Sequence, residues 1–213
     1  MFSLDSHGVF RAEGLSAIPG MIHGFGTRNS ESWQDLPTAT VRQIHSDRAV
    51  FADGAGVHGE ADALVTNRPG FALAIRTADC VPILVADPAH HAIAAVHAGW
   101  RGTVAEILPK ALAGMSKRYD TVPTDVVVAI GPAIGLCCFE VGPEVAVQFG
   151  RPAEKTHIDL VDANRQQALR AGVPGSRIAV LGRCTRCGAT QFHSYRRDRE
   201  QSGRMVAAIG WVR

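Results

Sequence analysis

The chain has 213 residues, of which 46% are hydrophobic and 20% are charged, and its formal net charge is +2 with histidine neutral. This composition supports a substantial core and excludes global disorder. The weak positive charge does not indicate nucleic-acid binding, and no apolar run approaches the ~18 residues of a membrane span. We therefore expect a globular protein with no nucleic-acid partner and no membrane partner.

The cellular compartment is predicted from the N-terminus and the cysteines. Residues 1–11 lack the basic-then-apolar pattern of a signal peptide. The five cysteines are an odd number with uneven spacing, which does not suggest a disulfide framework. A reducing cytoplasm, with thiols that are free or bound to metal, is the expected setting.

Apolar runs and turn residues predict the elements in chain order. Asp159 is placed to cap a helix, and Pro143 is placed to open one. The irregular spacing of strands, with few helices between them, predicts one α+β domain over residues 1–213 with a mixed sheet. The predicted elements are an apolar run at 21–28, strands at 39–45, 61–66, 71–77, 80–86, 92–96, 125–130, 177–181 and 205–212, and helices after 103, from 143 and over 160–170.

Two of these strands carry reactive residues at adjoining ends. Cys80 begins the first, His97 ends the second, and a short turn at Asp87-Pro88 joins them. Two strands joined by a short turn pair in antiparallel fashion. The sequence therefore predicts that Cys80 and His97 are close in space.

A glycine-rich turn follows His97 and leads into a predicted helix. Thr103 and Glu106 fit a capping box at its start. A helix N-terminus presents free backbone N–H groups that favour anions, and Arg101 adds a guanidinium able to grip phosphate or carboxylate. A tight turn with a surface arginine is the alternative interpretation of the same residues.

His45, Cys80 and His97 could together form a metal site. Catalytic zinc takes three protein ligands from Cys, His and carboxylate and keeps a fourth position for water. A different class of function uses Cys80 as a nucleophile whose pKa His97 lowers. His45 distinguishes the two, because only the metal site needs it.

The remaining cysteines form two short pairs. Cys184 and Cys187 have the spacing of half a structural zinc site, but no second pair lies nearby in sequence at finger spacing. Cys137 and Cys138 are adjacent, and adjacent cysteines rarely chelate one metal well. A packing role is predicted for both pairs.

Taken together, the motifs resemble those of the laccase-domain family. They are QIHSD at 43–47, ADALVT at 61–66, RTADCVPI at 76–83, HAGWRGT at 97–103, and CT at 184–185 followed by SYRRD at 194–198. Members of this family are called multicopper polyphenol oxidases in older naming and purine nucleoside phosphorylases in newer naming. The match runs from about Ile22 to the C-terminus in family order.

The resemblance implies a fold and a metal site. The implied fold is a single domain layered α/β/β/α, like that of certain cysteine-hydrolase-like toxins. The implied zinc ligands are the histidine of the QIHSD block, the cysteine of the ADC block and the first histidine of the HAGWRG block, which are His45, Cys80 and His97.

The resemblance also implies the activity. It is phosphorolysis of adenosine, inosine and S-methyl-5′-thioadenosine, together with adenosine deamination, with purine nucleosides and phosphate as the partners. Separately from the resemblance, we expect a monomer. Asn29-Ser30 and His193 depart from residues common in the family, and these differences bear on substrate preference. The alternative functions are editing of cell-wall precursors by a Cys–His hydrolase or amidase, copper-dependent polyphenol oxidation, which is less favoured, and a non-enzymatic zinc-stabilised binding protein.

Catalytic roles are assigned as hypotheses. Arg28 is the candidate phosphate clamp, with Arg101 and the following helix start as second choice. Asp62 is a candidate acid for the leaving purine, and Gln43 is a candidate for orienting purine or ribose. Zinc is the expected metal, since multicopper chemistry needs about ten histidine ligands and the chain contains nine histidines.

Overall fold

Two mixed β-sheets packed face to face form the centre of the protein in the computed structural model, which describes residues 1–30 and 36–212. The strands are β1 (Phe2–Leu4), β2 (Val9–Ala12), β3 (Met21–Gly26), β4 (Thr38–Arg42), β5 (Ala49–Phe51), β6 (Gly56–Glu60), β7 (Ala63–Thr66), β8 (Ala72–Thr77), β9 (Val81–Asp87), β10 (Ala92–Ala98), β11 (Val127–Ile130), β12 (Glu140–Val141), β13 (Thr156–His157), β14 (Ile178–Val180) and β15 (Met205–Trp211). The α-helices are α1 (Glu13–Ser16), α2 (Trp100–Val104), α3 (Ile107–Tyr119), α4 (Pro143–Ala146), α5 (Leu160–Arg170) and α6 (Tyr195–Asp198). Short 3₁₀ turns occupy Pro123–Asp125, Val147–Phe149, Gly175–Arg177 and Arg199–Gln201.

The order of the strands confirms a mixed α+β architecture. One sheet has seven strands in the order β1-β2-β3-β15-β8-β4-β6, and the other has six in the order β14-β11-β9-β10-β7-β5. Both combine parallel and antiparallel pairs. The predicted strands at 61–66 and 71–77 correspond to β7 and β8, and these two consecutive strands lie in different sheets.

The predicted hairpin forms the middle of the six-stranded sheet. β9 and β10 are antiparallel, and His97 pairs with Pro82 while Ala98 pairs with Val81. Cys80 therefore lies at the same end of the hairpin as His97, as predicted. Both strands are buried along their whole length, because helices cover one face of this sheet and the seven-stranded sheet covers the other.

The longer helices form a layer on one sheet. The two helices longer than five residues in the described part of the chain are α3 and α5, and both pack on the six-stranded sheet. One layer of helices therefore lies against the six-stranded sheet, which packs on the seven-stranded sheet, and the second helical layer of the predicted α/β/β/α order remains a prediction. None of the helices in the described residues has the length and hydropathy of a membrane span.

The capping box predicted at Thr103 does not form. Glu106 adopts φ of 59° and separates α2 from α3. The Thr103 hydroxyl accepts a hydrogen bond from the side chain of Asn164 in α5 at 2.9 Å instead. By contrast, Asp159 caps α5 as predicted, because its carboxylate accepts from the backbone N–H of Asp162 at 2.9 Å.

A buried histidine makes the fold sensitive to acid. His23 in β3 is 3% exposed, and its Nε2 accepts a hydrogen bond from the backbone N–H of Ala12 at 2.9 Å. Burial and the nearby charge of Arg11 lower the pKa of His23 from 6.5 to about 4. The ring is therefore neutral in the folded protein at neutral pH.

We expect stability to fall as the pH decreases from about 6.5 to about 4. In that window the unfolded chain binds a proton at His23 and the folded chain does not, which removes about 3 kcal/mol. The free energy of unfolding, measured by urea denaturation across this window, gives the size of the decrease. His23→Gln retains an acceptor for Ala12 and should flatten the His23 part of the slope, whereas His7→Gln at an exposed site should not; an unchanged slope in His23→Gln contradicts the assignment.

Candidate functional site

Three side chains with metal-binding atoms converge at one end of the central hairpin. His45 lies in the loop after β4, Cys80 immediately precedes β9, and His97 is near the end of β10. One donor atom from each lies within 4.8 Å of the other two. The structure thus brings together the three residues that the sequence predicted as metal ligands, and metal binding by them remains a prediction.

Asp62 positions two of the three residues of this cluster through hydrogen bonds. Its carboxylate is buried and accepts hydrogen bonds from the backbone N–H groups of Ile44, His45 and Ser46 at 3.3, 3.0 and 2.6 Å. It also accepts from the Ser46 hydroxyl at 2.7 Å and contacts Nδ1 of His97 at 2.8 Å. One carboxylate therefore fixes both the loop that carries His45 and the ring of His97.

The protonation state of Asp62 determines which nitrogen of His97 is available. Burial by itself raises the pKa of Asp62, but hydrogen bonds from His97 and Ser46 outweigh it and lower the value to about 2. The ionised carboxylate accepts a hydrogen bond from Nδ1 of His97, so Nε2 is the nitrogen that would bind a metal. A carboxylate that orients a histidine in this way is the usual support of a zinc-binding imidazole.

The thiol of Cys80 ionises readily here. Burial opposes ionisation, but hydrogen bonds from His45 and His97 lower the pKa of Cys80 to about 7. Burial likewise opposes the charged form of His97, and its contacts with Asp62 and Cys80 raise its pKa to about 9. A thiolate at neutral pH is the form that binds metal and the form that attacks electrophiles.

The backbone around the cluster is strained and closely packed. His45 and Asp79 adopt φ of 60° and 88°, a region that non-glycine residues rarely occupy. A Cβ at Gly99 would lie 3.1 Å from both Sγ of Cys80 and Cδ2 of His45. Glycine at this position therefore lets the chain pass directly behind the two donor groups.

The donor set fits zinc. Two imidazoles and one thiolate are soft and borderline ligands of the kind that zinc prefers, and three protein ligands leave a fourth position for water or substrate. The T-shaped arrangement of the His45 and His97 rings, with centroids 5.0 Å apart, directs both toward the same space without stacking.

A cavity of about 850 Å³ opens above the cluster. Its volume is within the range of small-molecule binding sites. The charged side chains that line it are those of Arg76, Arg196, Arg204 and Asp79. Asp79 is already engaged, because its two oxygens accept from the Thr185 hydroxyl and the Arg196 backbone N–H, each at 2.6 Å. The cavity therefore presents net positive charge.

The cavity also contains two aromatic rings and an amide. Phe139 and Tyr195 line it, and the guanidinium of Arg196 lies 5.3 Å from the centre of the Phe139 ring. Gln43, a predicted site residue, lines it as well, and both ends of its amide bond the backbone of Arg76 at 2.8 Å. Its role in orienting substrate remains a prediction.

The two arginines assigned to phosphate from the sequence lie outside this cavity lining. Arg28 donates to the carbonyl of Ala189 at 2.6 Å and borders a separate depression beside His193 and Arg197. Arg101 is exposed and lies over the ring of Trp100 at 4.4 Å. The sequence pattern gave no distance between either arginine and the metal-type cluster, and neither arginine lines the cavity that contains it.

Asp62 also differs from its predicted role. A proton donor to a leaving purine must reach the substrate, but this carboxylate is buried beneath His97 and is held ionised. The geometry assigns it to positioning His97 and the 44–46 loop. The sequence analysis did not select three cavity residues that lie inside the quoted motifs, namely Arg76, Asp79 and Arg196. Their place in those motifs could have identified them as candidates, whereas nothing in the sequence distinguishes Arg204.

Comparison with known proteins identifies a family and several named relatives. The family model described as multi-copper polyphenol oxidoreductase laccase matches residues 28–212. A purine nucleoside phosphorylase of Bacteroides thetaiotaomicron is 46% identical over 166 residues, which cover 72% of this chain and 61% of that protein. The chain therefore aligns with about six-tenths of the length of this relative.

Two further relatives add an activity name and a structure. A protein named adenosine deaminase RL5, from an unknown prokaryotic organism, is 38% identical over 192 residues, covering 79% of this chain and 72% of that protein. The crystal structure of YlmD from Geobacillus stearothermophilus is similar with a TM-score of 0.88 and 28% identity, covering 100% of this chain and 99% of that one. The mixed two-sheet architecture is thus shared with a solved structure.

We expect Asp62→Asn to weaken zinc binding about 10–100-fold, because the amide cannot act as an ionised acceptor that holds the His97 tautomer. Competition with a chromophoric chelator measures the affinity, and circular dichroism checks folding. Asp47→Asn, at an exposed carboxylate paired with Lys110, is the matched control and should bind zinc normally. Ser46→Ala removes one hydrogen bond to Asp62 and should lie between them; wild-type affinity in Asp62→Asn would refute the positioning role.

Proposed function

This chain belongs to the family described as multi-copper polyphenol oxidoreductase laccase, and we propose that it is a zinc-dependent purine nucleoside phosphorylase. Its proposed substrates are adenosine, inosine and S-methyl-5′-thioadenosine, and it also deaminates adenosine. The observation that carries the proposal is the cavity, in which the His45–Cys80–His97 cluster faces three arginines and two aromatic rings. The names of relatives as purine nucleoside phosphorylase and adenosine deaminase support an enzyme of this class.

The arginines of the cavity are the proposed phosphate site. Arg76 and Arg204 are exposed toward solvent, and Arg196 is half-buried against Phe139. Guanidinium groups bind phosphate oxygens in bidentate fashion. These three replace Arg28 and Arg101 as the proposed clamp, since they line the same cavity as the metal-type cluster.

The proposed reaction is displacement at the ribose C1′. An oxygen of phosphate forms a bond to C1′, and the bond between C1′ and the purine nitrogen breaks. The electron pair stays on the purine, which takes up a proton, and the products are a ribose 1-phosphate and the free base. Holding phosphate and nucleoside together in one cavity supplies much of the rate enhancement of such a reaction.

The chain's own residues prepare the metal site. Asp62 holds the proton of His97 on Nδ1, and the strained backbone at His45 directs its ring toward Cys80. The chemistry that zinc supplies when bound is that of a Lewis acid, which polarises substrate oxygens and activates water. For adenosine deamination, water adds at C6 of the purine and ammonia leaves.

Zinc is proposed in preference to the copper of the family name. Multicopper oxidases need several ions with many histidine ligands. In the described residues, two groups of three or more donors are close enough to hold metal; one contains two histidines and the other contains none. These donors suit one catalytic zinc better than a multicopper centre.

A second candidate function is supported by the ionisation of Cys80. With its pKa lowered to about 7 beside a His97 raised to about 9, the pair fits a thiolate nucleophile and its acid–base partner. The substrates would be amide-bearing cell-wall precursors, and the fold would be of the cysteine-hydrolase-like kind. His45 in the cluster favours the metal-dependent function over this one.

The remaining proposals concern domain organisation, oligomeric state, location and partners. We propose one domain over residues 1–213, a monomer, a cytoplasmic location, and small-molecule purine nucleosides and phosphate as its partners.

We expect free base to appear from adenosine, inosine and methylthioadenosine only when phosphate is present, because phosphate is the nucleophile. Chromatography of reactions with zinc-loaded protein in phosphate buffer and in phosphate-free buffer measures this. Cys80→Ala should lose activity together with the zinc bound by the His45–Cys80–His97 cluster, whereas an exposed control such as Asp47→Asn should keep both. Base release without phosphate, or full zinc content in Cys80→Ala, contradicts the proposal; no turnover of any nucleoside directs attention to the hydrolase function.

We expect Arg76→Gln and Arg204→Gln each to lower kcat/KM for phosphate by about 10–100-fold, because each removes a charge-assisted hydrogen bond worth about 1.5–3 kcal/mol. Initial rates at varied phosphate concentration measure the effect. Arg28→Gln and Arg101→Gln, outside the cavity lining, serve as controls and should retain kcat/KM for phosphate. The opposite pattern would restore Arg28 as the clamp.

A further inference from the structure

A second cluster of cysteines lies apart from the site described above. Cys137 and Cys138 follow β11, and Cys184 and Cys187 follow β14, with about 50 residues between the two pairs. The fold brings all four sulfur atoms within 4.8 Å of one another. The second pair that Cys184 and Cys187 lack in the local sequence is therefore supplied by a distant segment, and the predicted packing role does not account for this convergence.

The sulfur–sulfur distances are close to those expected around a single tetrahedral ion. Sγ of Cys187 lies 3.8 Å from Sγ of Cys137 and 3.4 Å from Sγ of Cys138. Zinc–sulfur bonds of about 2.3 Å directed to the corners of a tetrahedron place the sulfurs about 3.8 Å apart. We propose that Cys137, Cys138, Cys184 and Cys187 bind one structural zinc ion as four thiolates.

The backbone explains how adjacent cysteines can share one ion. In a strand, Cys137 and Cys138 would point to opposite faces. Here they lie in a tight turn, in which the backbone N–H groups of Cys138 and Phe139 both donate to the carbonyl of Gly135, at 2.9 and 3.0 Å. Neighbouring side chains in such a turn diverge much less, so both sulfurs reach the same space.

The second pair is arranged by a similar turn. The backbone N–H of Gly188 donates to the carbonyl of Cys184 at 2.9 Å, which closes a turn over the residues between Cys184 and Cys187. Residues three apart in such a turn lie on the same side. The two turns are joined by a β-bridge between Ala133 and Cys184.

Two groups around the cluster suit thiolates. The backbone N–H of Gly135 donates to Sγ of Cys184 at 3.3 Å, and such bonds stabilise a metal-bound sulfur. A Cβ at Gly135 would lie 3.4 Å from Sγ of Cys137. The guanidinium of Arg186 interacts with the sulfur of Cys138 and offsets part of the negative charge that four thiolates leave on one Zn²⁺.

Two other interpretations fit the distances less well. A disulfide requires sulfurs about 2.05 Å apart, and all five cysteines are free. An iron–sulfur cluster also uses four thiolates, but its several metal and sulfide ions hold those thiolates further apart than one ion does. Four thiolates also fill all positions of a tetrahedral zinc, so the role is structural and not catalytic.

The zinc would stabilise one wall of the cavity. Thr185, between the two cysteines of the second pair, donates its hydroxyl proton to Asp79 at 2.6 Å. Ile134, close to the first pair, donates its backbone N–H to the carbonyl of Asp79 at 2.9 Å. Asp79 immediately precedes Cys80, so the four-cysteine site helps to fix the segment that carries the proposed zinc ligand Cys80. The proposal rests on the four cysteines and stands independently of the phosphorylase function.

The experiment measures zinc per chain by mass spectrometry after reduction, zinc loading and dialysis. In Cys80→Ser, which disables the His–Cys–His cluster, we expect one zinc per chain; in Cys80→Ser/Cys187→Ser and Cys80→Ser/Cys184→Ser we expect none. Cys80→Ser/Arg183→Ala, changed at an exposed non-ligand beside Cys184, should retain the one zinc. Equal zinc content in the Cys80→Ser variants with and without Cys187 overturns the proposal, as does iron with sulfide in place of zinc.

A second measurement keeps the test decisive if a cysteine variant folds poorly. Cobalt loaded into Cys80→Ser should give the intense charge-transfer spectrum of a tetrahedral four-sulfur site, and added zinc should displace it. Removal of zinc from Cys80→Ser by chelator should lower its Tm. A cobalt spectrum without sulfur character, or alkylation of only some of the four thiols because a disulfide has formed, would refute the four-thiolate site.

Discussion

The buried carboxylate of Asp62 accepts hydrogen bonds from three backbone N–H groups, from the Ser46 hydroxyl and from the His97 ring. An ionised carboxylate away from water costs several kcal/mol unless its oxygens are fully hydrogen-bonded. The 44–46 segment must therefore wrap around Asp62, and the positive φ of His45 is part of that turn. The position of the His45 ring, and so the cluster, depends on this one interaction.

Asp79 fixes the segment that immediately precedes Cys80, as Asp62 fixes the 44–46 segment. Its two oxygens and its carbonyl receive hydrogen bonds from Thr185, Arg196 and Ile134, three segments that are distant in sequence. Its own φ of 88° is strained, and such strain persists only where surrounding contacts determine the conformation. The position of Cys80 therefore depends on two carboxylates, Asp62 and Asp79, each of which accepts hydrogen bonds from other segments of the chain.

The two groups of metal-type donors differ in the number of ligands that they offer, and this difference implies different roles. His45, Cys80 and His97 leave a tetrahedral ion one open position and face a positively charged cavity. The four cysteines would leave such an ion no open position, and they join the segments that follow β11 and β14. In this proposal, the zinc at the His45–Cys80–His97 cluster takes part in catalysis, and the zinc at the four cysteines stabilises the structure around it.

The sequence by itself determined the features that depend on neighbours along the chain. The hairpin of β9 and β10 followed from two apolar runs and a turn, the cap of α5 from Asp159, and the donor trio from motifs at the ends of strands. Only the tertiary structure decided that Thr103 bonds Asn164 instead of forming a capping box, that Arg76, Arg196 and Arg204 line the cavity while Arg28 lies elsewhere, and that two cysteine pairs meet. Local hydrogen bonds and periodicity are encoded within a few residues, whereas these convergences depend on the order of strands in two sheets, which joins segments 50 or more residues apart.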